Sequence, residues 1–131
     1  MGAGVIPVGG HQGMKNKPFL SRFGFAIAGL REVWRREKSF RTQAALAVLA
    51  IVGLVVLRPG FVWVAFVAIC IVLIFALELI NSAIEYLIDH LHPEVAPEIR
   101  LAKDAAAAAV LVASIGAIVV AVLLLAAWAL G

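Results

Sequence analysis

The sequence predicts an all-α membrane protein: an N-terminal amphipathic surface helix followed by three transmembrane helices. Three observations predict it. Apolar residues make up 64% of the 131-residue chain, and its mean hydropathy is +1.07. A soluble domain of this size needs more polar surface than that. Only 15% of residues are charged, and they cluster, with none between Arg41 and Arg58, none between Arg58 and Glu78, and none from Ala105 to Gly131. A bilayer imposes such gaps, because a charge in hydrocarbon is costly.

Residues 1–17 are Gly-rich and read as a flexible tail. They lack the basic start and continuous apolar run of a signal peptide. Over residues 18–39, Phe19, Phe23, Ile27, Leu30 and Trp34 recur at steps of four, four, three and four. That spacing puts them on one helical face, with Arg22, Arg31, Arg35, Arg36 and Lys38 supplying charge. A basic amphipathic helix of this kind suits a membrane surface.

The first span is expected over residues 40–57, close to the roughly 20 residues needed to cross hydrocarbon. Arg58-Pro59-Gly60 ends it in a tight turn. The second span is expected over 61–88. Residues 89–104 carry Pro93, Pro97 and most of the remaining charge, and read as a loop. The third span covers 105–130. Single domain boundaries thus follow as tail 1–17 and membrane domain 18–131.

Eight of the eleven Lys and Arg residues lie in the N-terminal part up to Arg41, two lie in the 89–104 loop, one lies in the 58–60 turn, and none follows the third span. The N-terminus and the loop are therefore expected on the cytoplasmic side and the C-terminus outside. Trp63 and Trp128 fall near the outer ends, where aromatic residues favour the interface. Three spans enclose little by themselves, so a homo-oligomer is expected. The small residues Ala105 to Ala109 would permit close helix approach.

Within the second span lies Glu78-Leu79-Ile80-Asn81-Ser82-Ala83-Ile84-Glu85, with Asp89 beyond. On a helix Glu78, Asn81, Ser82, Glu85 and Asp89 share one face. Ionisable groups inside a span line a cavity or an interface, and they mark function by default. The alternative is interhelical hydrogen bonding in a non-enzymatic scaffold or transporter subunit. Two carboxylates one heptad apart suit that alternative poorly, because they repel. Glu37, Glu78, Glu85, Lys103 and Asp104 are all expected at one membrane level. Carboxylates there suit Mg²⁺, an oxygen-preferring ion that travels with nucleotide phosphates, and a lysine beside them suits phosphate. Neither GxxxxGK[ST] nor GxGxxG occurs. His11, His90 and His92 have no ligand spacing, and the single cysteine, Cys70, reads as a small core residue.

The run LELINSAIE followed by AKDAAAAAVLV, together with FAIAGLREVWRRE at 25–37 and Phe40-Arg41, resembles the bacterial integral-membrane diacylglycerol kinases over roughly residues 19–120. The resemblance implies a homotrimeric bundle in the inner membrane, with a site shared between subunits. It implies an ATP- and Mg²⁺-dependent kinase that phosphorylates diacylglycerol. It assigns Glu78 as general base with Asn81 orienting it, and Glu37 and Glu85 as metal ligands. It assigns Glu37, Glu85, Lys103, Asp104 and Phe25 to ATP, and Glu78, Arg41 and Ser82 to the lipid. No nucleic-acid partner is implied. Thr42 and Ala107 depart from the diacylglycerol kinase pattern, and the alanine run looks more like the undecaprenol kinases of the same fold, so undecaprenol stays open as the lipid.

Overall fold

In a computed structural model, residues 18–94 and 96–131 are described, and almost all of them are helical. The expectations for residues 1–17, including His11, lie outside the described residues. Four helices follow in order: α1 Phe19–Arg36, α2 Lys38–Leu57, α3 Phe61–Leu91 and α4 Pro97–Leu130. The chain divides into a unit ending at Glu32 and a second unit, Val33–Gly131. In the first, residues 19–31 of α1 leave both the apolar stripe and the arginines uncovered by protein.

The second unit is built on α3, which packs extensively on α4 and over a shorter stretch on α2. Helices α2, α3 and α4 are each long and apolar enough to cross a membrane. The buried share of their apolar windows is only 6%, 11% and 11%. A soluble protein would cover such surface with its own chain, whereas here lipid or further copies must do so. Helices suit this solvent because every interior N–H and C=O is paired within the segment. Thr42 and Ser114 follow the same rule, donating to the Lys38 and Val110 carbonyls at 3.1 and 2.8 Å.

The first two spans meet at the expected turn. The backbone N–H of Arg58 caps Leu54 O at 3.0 Å from a left-handed conformation (φ 49°). Gly60 takes φ 98°, which a side chain would oppose.

The other boundaries differ from the sequence reading. Helix α1 ends at Arg36, short of residue 39, because Glu37 is extended (φ −97°, ψ 110°) and α2 starts at once at Lys38. Helix α3 continues to Leu91, where the His92 N–H caps Ile88 O at 2.7 Å. Helix α4 begins at Pro97, so residues 97–104 are helix where a loop was expected, and the connection is confined to 92–96. Pro97 at the first helical position and Glu98 in the first turn explain it: the proline lacks only an N–H that would be unpaired there, and the carboxylate suits the positive helix end.

Lengths place the polar residues. Helix α2, at 20 residues, spans about 30 Å, the thickness of the hydrocarbon core. Helices α3 and α4, at 31 and 34 residues, span about 46 and 51 Å and must overhang it. Their charged ends, at Glu85–Leu91 and Pro97–Asp104, are that overhang.

Candidate functional site at the polar end of the bundle

The start of α2, the end of α3 and the start of α4 meet at one end of the bundle. Among the described residues, the buried side chains of α3 are Glu78 and Ser82, exposed by only 4% and 1%. Polar groups thus occupy the positions that aliphatic residues fill in a soluble core.

Ser39, in the first turn of α2, donates a hydrogen bond to Glu78 Oε1. The contact is flanked by an aromatic cluster. Phe40 is buried and lies 5.1 Å from Phe75 and 6.2 Å, edge-on, from Trp34, centroid to centroid. The carboxylate of Glu78 therefore lies against the N-terminal turn of α2, where unpaired backbone donors and the helix dipole suit an anion. One turn further along α3, Asn81 Oδ1 is buried without a hydrogen-bond partner, the single such side-chain atom among the described residues.

A second link lies nearer the end of the bundle. Tyr86 donates its hydroxyl to Glu37 Oε1 at 2.6 Å, and the Arg36 guanidinium sits over the Tyr86 ring at 5.7 Å. Glu37 sits at the break between α1 and α2 as the N-cap of α2, its N–H donating to Val33 O at 2.8 Å and its carbonyl accepting from Arg41 N at 3.4 Å. Tyr86 adjoins Glu85, so this level of α3 meets Glu37.

A third link joins α3 to α4. Lys103 Nζ donates to Asp89 Oδ1 at 2.8 Å, with Glu85 close enough to attract the same ammonium. Asp104 is exposed and pairs with Arg100 at 3.8 Å along α4. A hollow of about 210 Å³ opens here, lined by Asp89, His92, Glu94, Arg100, Lys103 and Asp104 among others.

The expected residues are brought together in part. Glu37, Glu85 and Lys103 gather in the overhang with Asp89 and Tyr86. Glu78 does not share their level, because Glu78 and Glu85 are seven residues apart and thus separated by about 10 Å along α3. The site has two tiers. Arg41, read as a lipid contact, donates from Nη1 to the carbonyls of Trp34 and Arg35 at 2.7 and 3.0 Å. It caps the C-terminus of α1, where carbonyls lack helical partners. Phe25 lies on α1 in the first unit, half exposed. Sequence reasoning missed Ser39 and Tyr86. The available signal was their position at the junctions flanking Glu37 and Glu85.

Among the described residues, no three or more His, Cys, Asp or Glu side chains gather to hold a metal ion. The described residues of one chain therefore build no metal cage by themselves. Two hard carboxylates, Glu37 and Glu85, fit the usual Mg²⁺ arrangement, in which one or two carboxylates bind and phosphates and water complete the shell.

The family model for prokaryotic diacylglycerol kinase matches residues 24–125. The diacylglycerol kinase of Escherichia coli (strain K12) is 32% identical over 96 residues, 73% of this chain and 79% of its own. That of Synechocystis sp. is 34% identical over 102 residues, 77% of this chain and 58% of its own. The undecaprenol kinase of Bacillus subtilis (strain 168) is 36% identical over 95 residues, 72% of this chain and 76% of its own.

Proposed function

Since the chain belongs to the prokaryotic diacylglycerol kinase family, and so is a lipid kinase, we propose that it transfers the γ-phosphate of ATP to diacylglycerol, forming phosphatidic acid at the cytoplasmic face of the bacterial inner membrane. The observation that carries the reading is Glu78: a carboxylate exposed by only 4% inside a membrane helix, engaged by Ser39, with the unpartnered Asn81 oxygen beside it. A scaffold has no need of that cost.

In this reading Glu78 accepts the proton of the lipid hydroxyl as its oxygen bonds to the γ-phosphorus. The bond from that phosphorus to the β–γ bridging oxygen breaks, and ADP leaves. Asn81 Oδ1 orients the hydroxyl or a bridging water. Ser82, buried one turn from Glu78, shapes the lipid side of the site. Lys103 and Asp104, in the overhang, contact the nucleotide, to which the resemblance also assigns Phe25. Glu37 and Glu85 would hold Mg²⁺, which supplies charge neutralisation on the phosphates when bound. The two tiers suit the two substrates: a lipid hydroxyl reaches Glu78 from within the bilayer, and ATP meets the overhang from water. The N-terminus is then cytoplasmic and the C-terminus outside. A homotrimer would cover the apolar surface that one chain leaves bare and close the site between subunits.

A second reading keeps the chemistry and exchanges the lipid for undecaprenol. It is favoured by the 36% identity to the Bacillus subtilis undecaprenol kinase, a value no lower than those to the diacylglycerol kinases. The test is ATP-dependent phosphorylation of a diacylglycerol and of undecaprenol in the same mixed micelles. Faster turnover of diacylglycerol is expected, and a clear preference for undecaprenol would replace the first lipid by the second. Glu78→Gln is expected to fold and lose turnover. Full activity in that variant would remove Glu78 as base.

A further inference from the structure

We propose that Ser39 is a positioning residue for the phosphoryl transfer, holding the Glu78 carboxylate in the orientation from which it accepts the proton. The inference rests on the kinase reading above and adds a residue from a different helix to it.

Three features of the seam between α2 and α3 carry the proposal. The Ser39 hydroxyl donates to Glu78 Oε1 across 39 residues of sequence, so the bond joins two helices and does not follow from local geometry. It is fixed in register by its neighbours. Phe40, next to Ser39, is buried and packs on Phe75, three residues before Glu78. One aromatic contact and one hydrogen bond thus pin the same turn of α2 to the same turn of α3. Finally, Glu78 is a flexible side chain with little else to hold it. Its neighbours on α3 are mostly aliphatic, and Glu78 itself is exposed by only 4%, while Ser39 keeps an exposed side. A bond at Oε1 orients the carboxyl group and leaves Oε2 to meet the substrate hydroxyl beside Asn81. A general base works only within hydrogen-bond reach of the proton it takes, so an anchor that fixes its rotamer acts on turnover.

A bond that merely satisfies a buried carboxylate would affect folding, or both substrates' binding. A positioning bond affects kcat. The test separates the hydroxyl from the space it fills. Ser39→Thr keeps the donor, while Ser39→Val has the shape of threonine without it, and Ser39→Ala removes both. Each is assayed in mixed micelles with ATP and a diacylglycerol, or undecaprenol if that is the better substrate, alongside melting and gel-filtration profiles. We expect Ser39→Val and Ser39→Ala to lose about tenfold or more in kcat, the scale of a hydrogen bond to a charged group. KM for ATP and lipid should stay within about twofold, and Ser39→Thr should keep most of the turnover. Equal activity of Ser39→Val and Ser39→Thr, or a loss confined to KM, overturns the proposal while leaving the kinase reading standing. A wild-type protein that phosphorylates neither lipid, or a fully active Glu78→Gln, removes the kinase reading itself and this inference with it.

Discussion

Helix α3 meets its two neighbours in opposite ways. Its seam with α4 is the more extensive, and what crosses it at the polar end is the ion pair of the exposed Asp89 with the part-exposed Lys103. Its seam with α2 is shorter but carries the more enclosed polar contacts, the part-buried bonds of Ser39 to the buried Glu78 and of Tyr86 to Glu37. Packing area and chemistry are therefore divided: α4 supplies most of the contact that holds α3 in the bundle, and α2 fixes the direction of the carboxylates. An unsatisfied buried polar group costs more than an exposed one. The α2 seam should accordingly be the sensitive one for turnover, and the α4 seam the tolerant one at its charged end.

The largest expected effect tests that division directly. Glu78→Gln keeps the shape and should lower kcat by about 10²- to 10⁴-fold, the usual contribution of a general base. Lys103→Met keeps the aliphatic stem on the other seam, and should raise KM for ATP by roughly tenfold, as expected for one charged hydrogen bond to phosphate. Steady-state kinetics with both substrates varied would compare the two. A greater loss in Lys103→Met than in Glu78→Gln would reverse the ranking of the seams.

A smaller effect is expected at the second bond of the α2 seam. Tyr86→Phe removes the hydroxyl that holds Glu37 and leaves the ring beneath Arg36. This bond is to a carboxylate too, but Glu37 is only half-buried where Glu78 is buried, so it contributes about 1 kcal/mol, and Mg²⁺-dependent turnover at low ATP should fall roughly fivefold, with recovery at high Mg²⁺ and ATP. Titration of activity against Mg²⁺ reads this. An unchanged Mg²⁺ dependence would mean that Glu37 does its work free of Tyr86.

The spans were legible because charge gaps report hydrocarbon directly, and Arg58-Pro59-Gly60 marks a turn by its backbone chemistry. The start of α4 is harder to see, because the charge density of 97–104 suggests a loop although Pro97 and Glu98 together form a helix-start signal. Within the site, the face shared by Glu78, Asn81, Ser82 and Glu85 follows from helical period alone. Its partners do not. Ser39 to Glu78 and Tyr86 to Glu37 join residues 39 and 49 positions apart, and no local pattern specifies which hydroxyl meets which carboxylate. Arg41 is a further case: the resemblance assigns it to the lipid, and its guanidinium also meets the carbonyls six and seven residues before it. Only the break at Glu37 brings those carbonyls into reach.

The smallest expected effect lies at Asp89. Its bond to Lys103 is short at 2.8 Å, which invites the inference that it holds α4 in place. Exposure argues otherwise: the side chains retain 64% and 34% of their accessible surface, so water competes for both charges, and ordering two flexible side chains offsets much of the attraction. Asp89→Asn should leave the melting profile at 0.15 M salt unchanged within error. At low ionic strength, where the screening length exceeds the pair's separation several-fold, a small loss should emerge. The same variant frees Lys103 from its resting partner, so KM for ATP should hold or fall slightly while kcat stays put. A large destabilisation by Asp89→Asn would show that the α3–α4 seam is also held by a polar contact, and the division between a packing seam and a chemical seam would no longer describe the molecule.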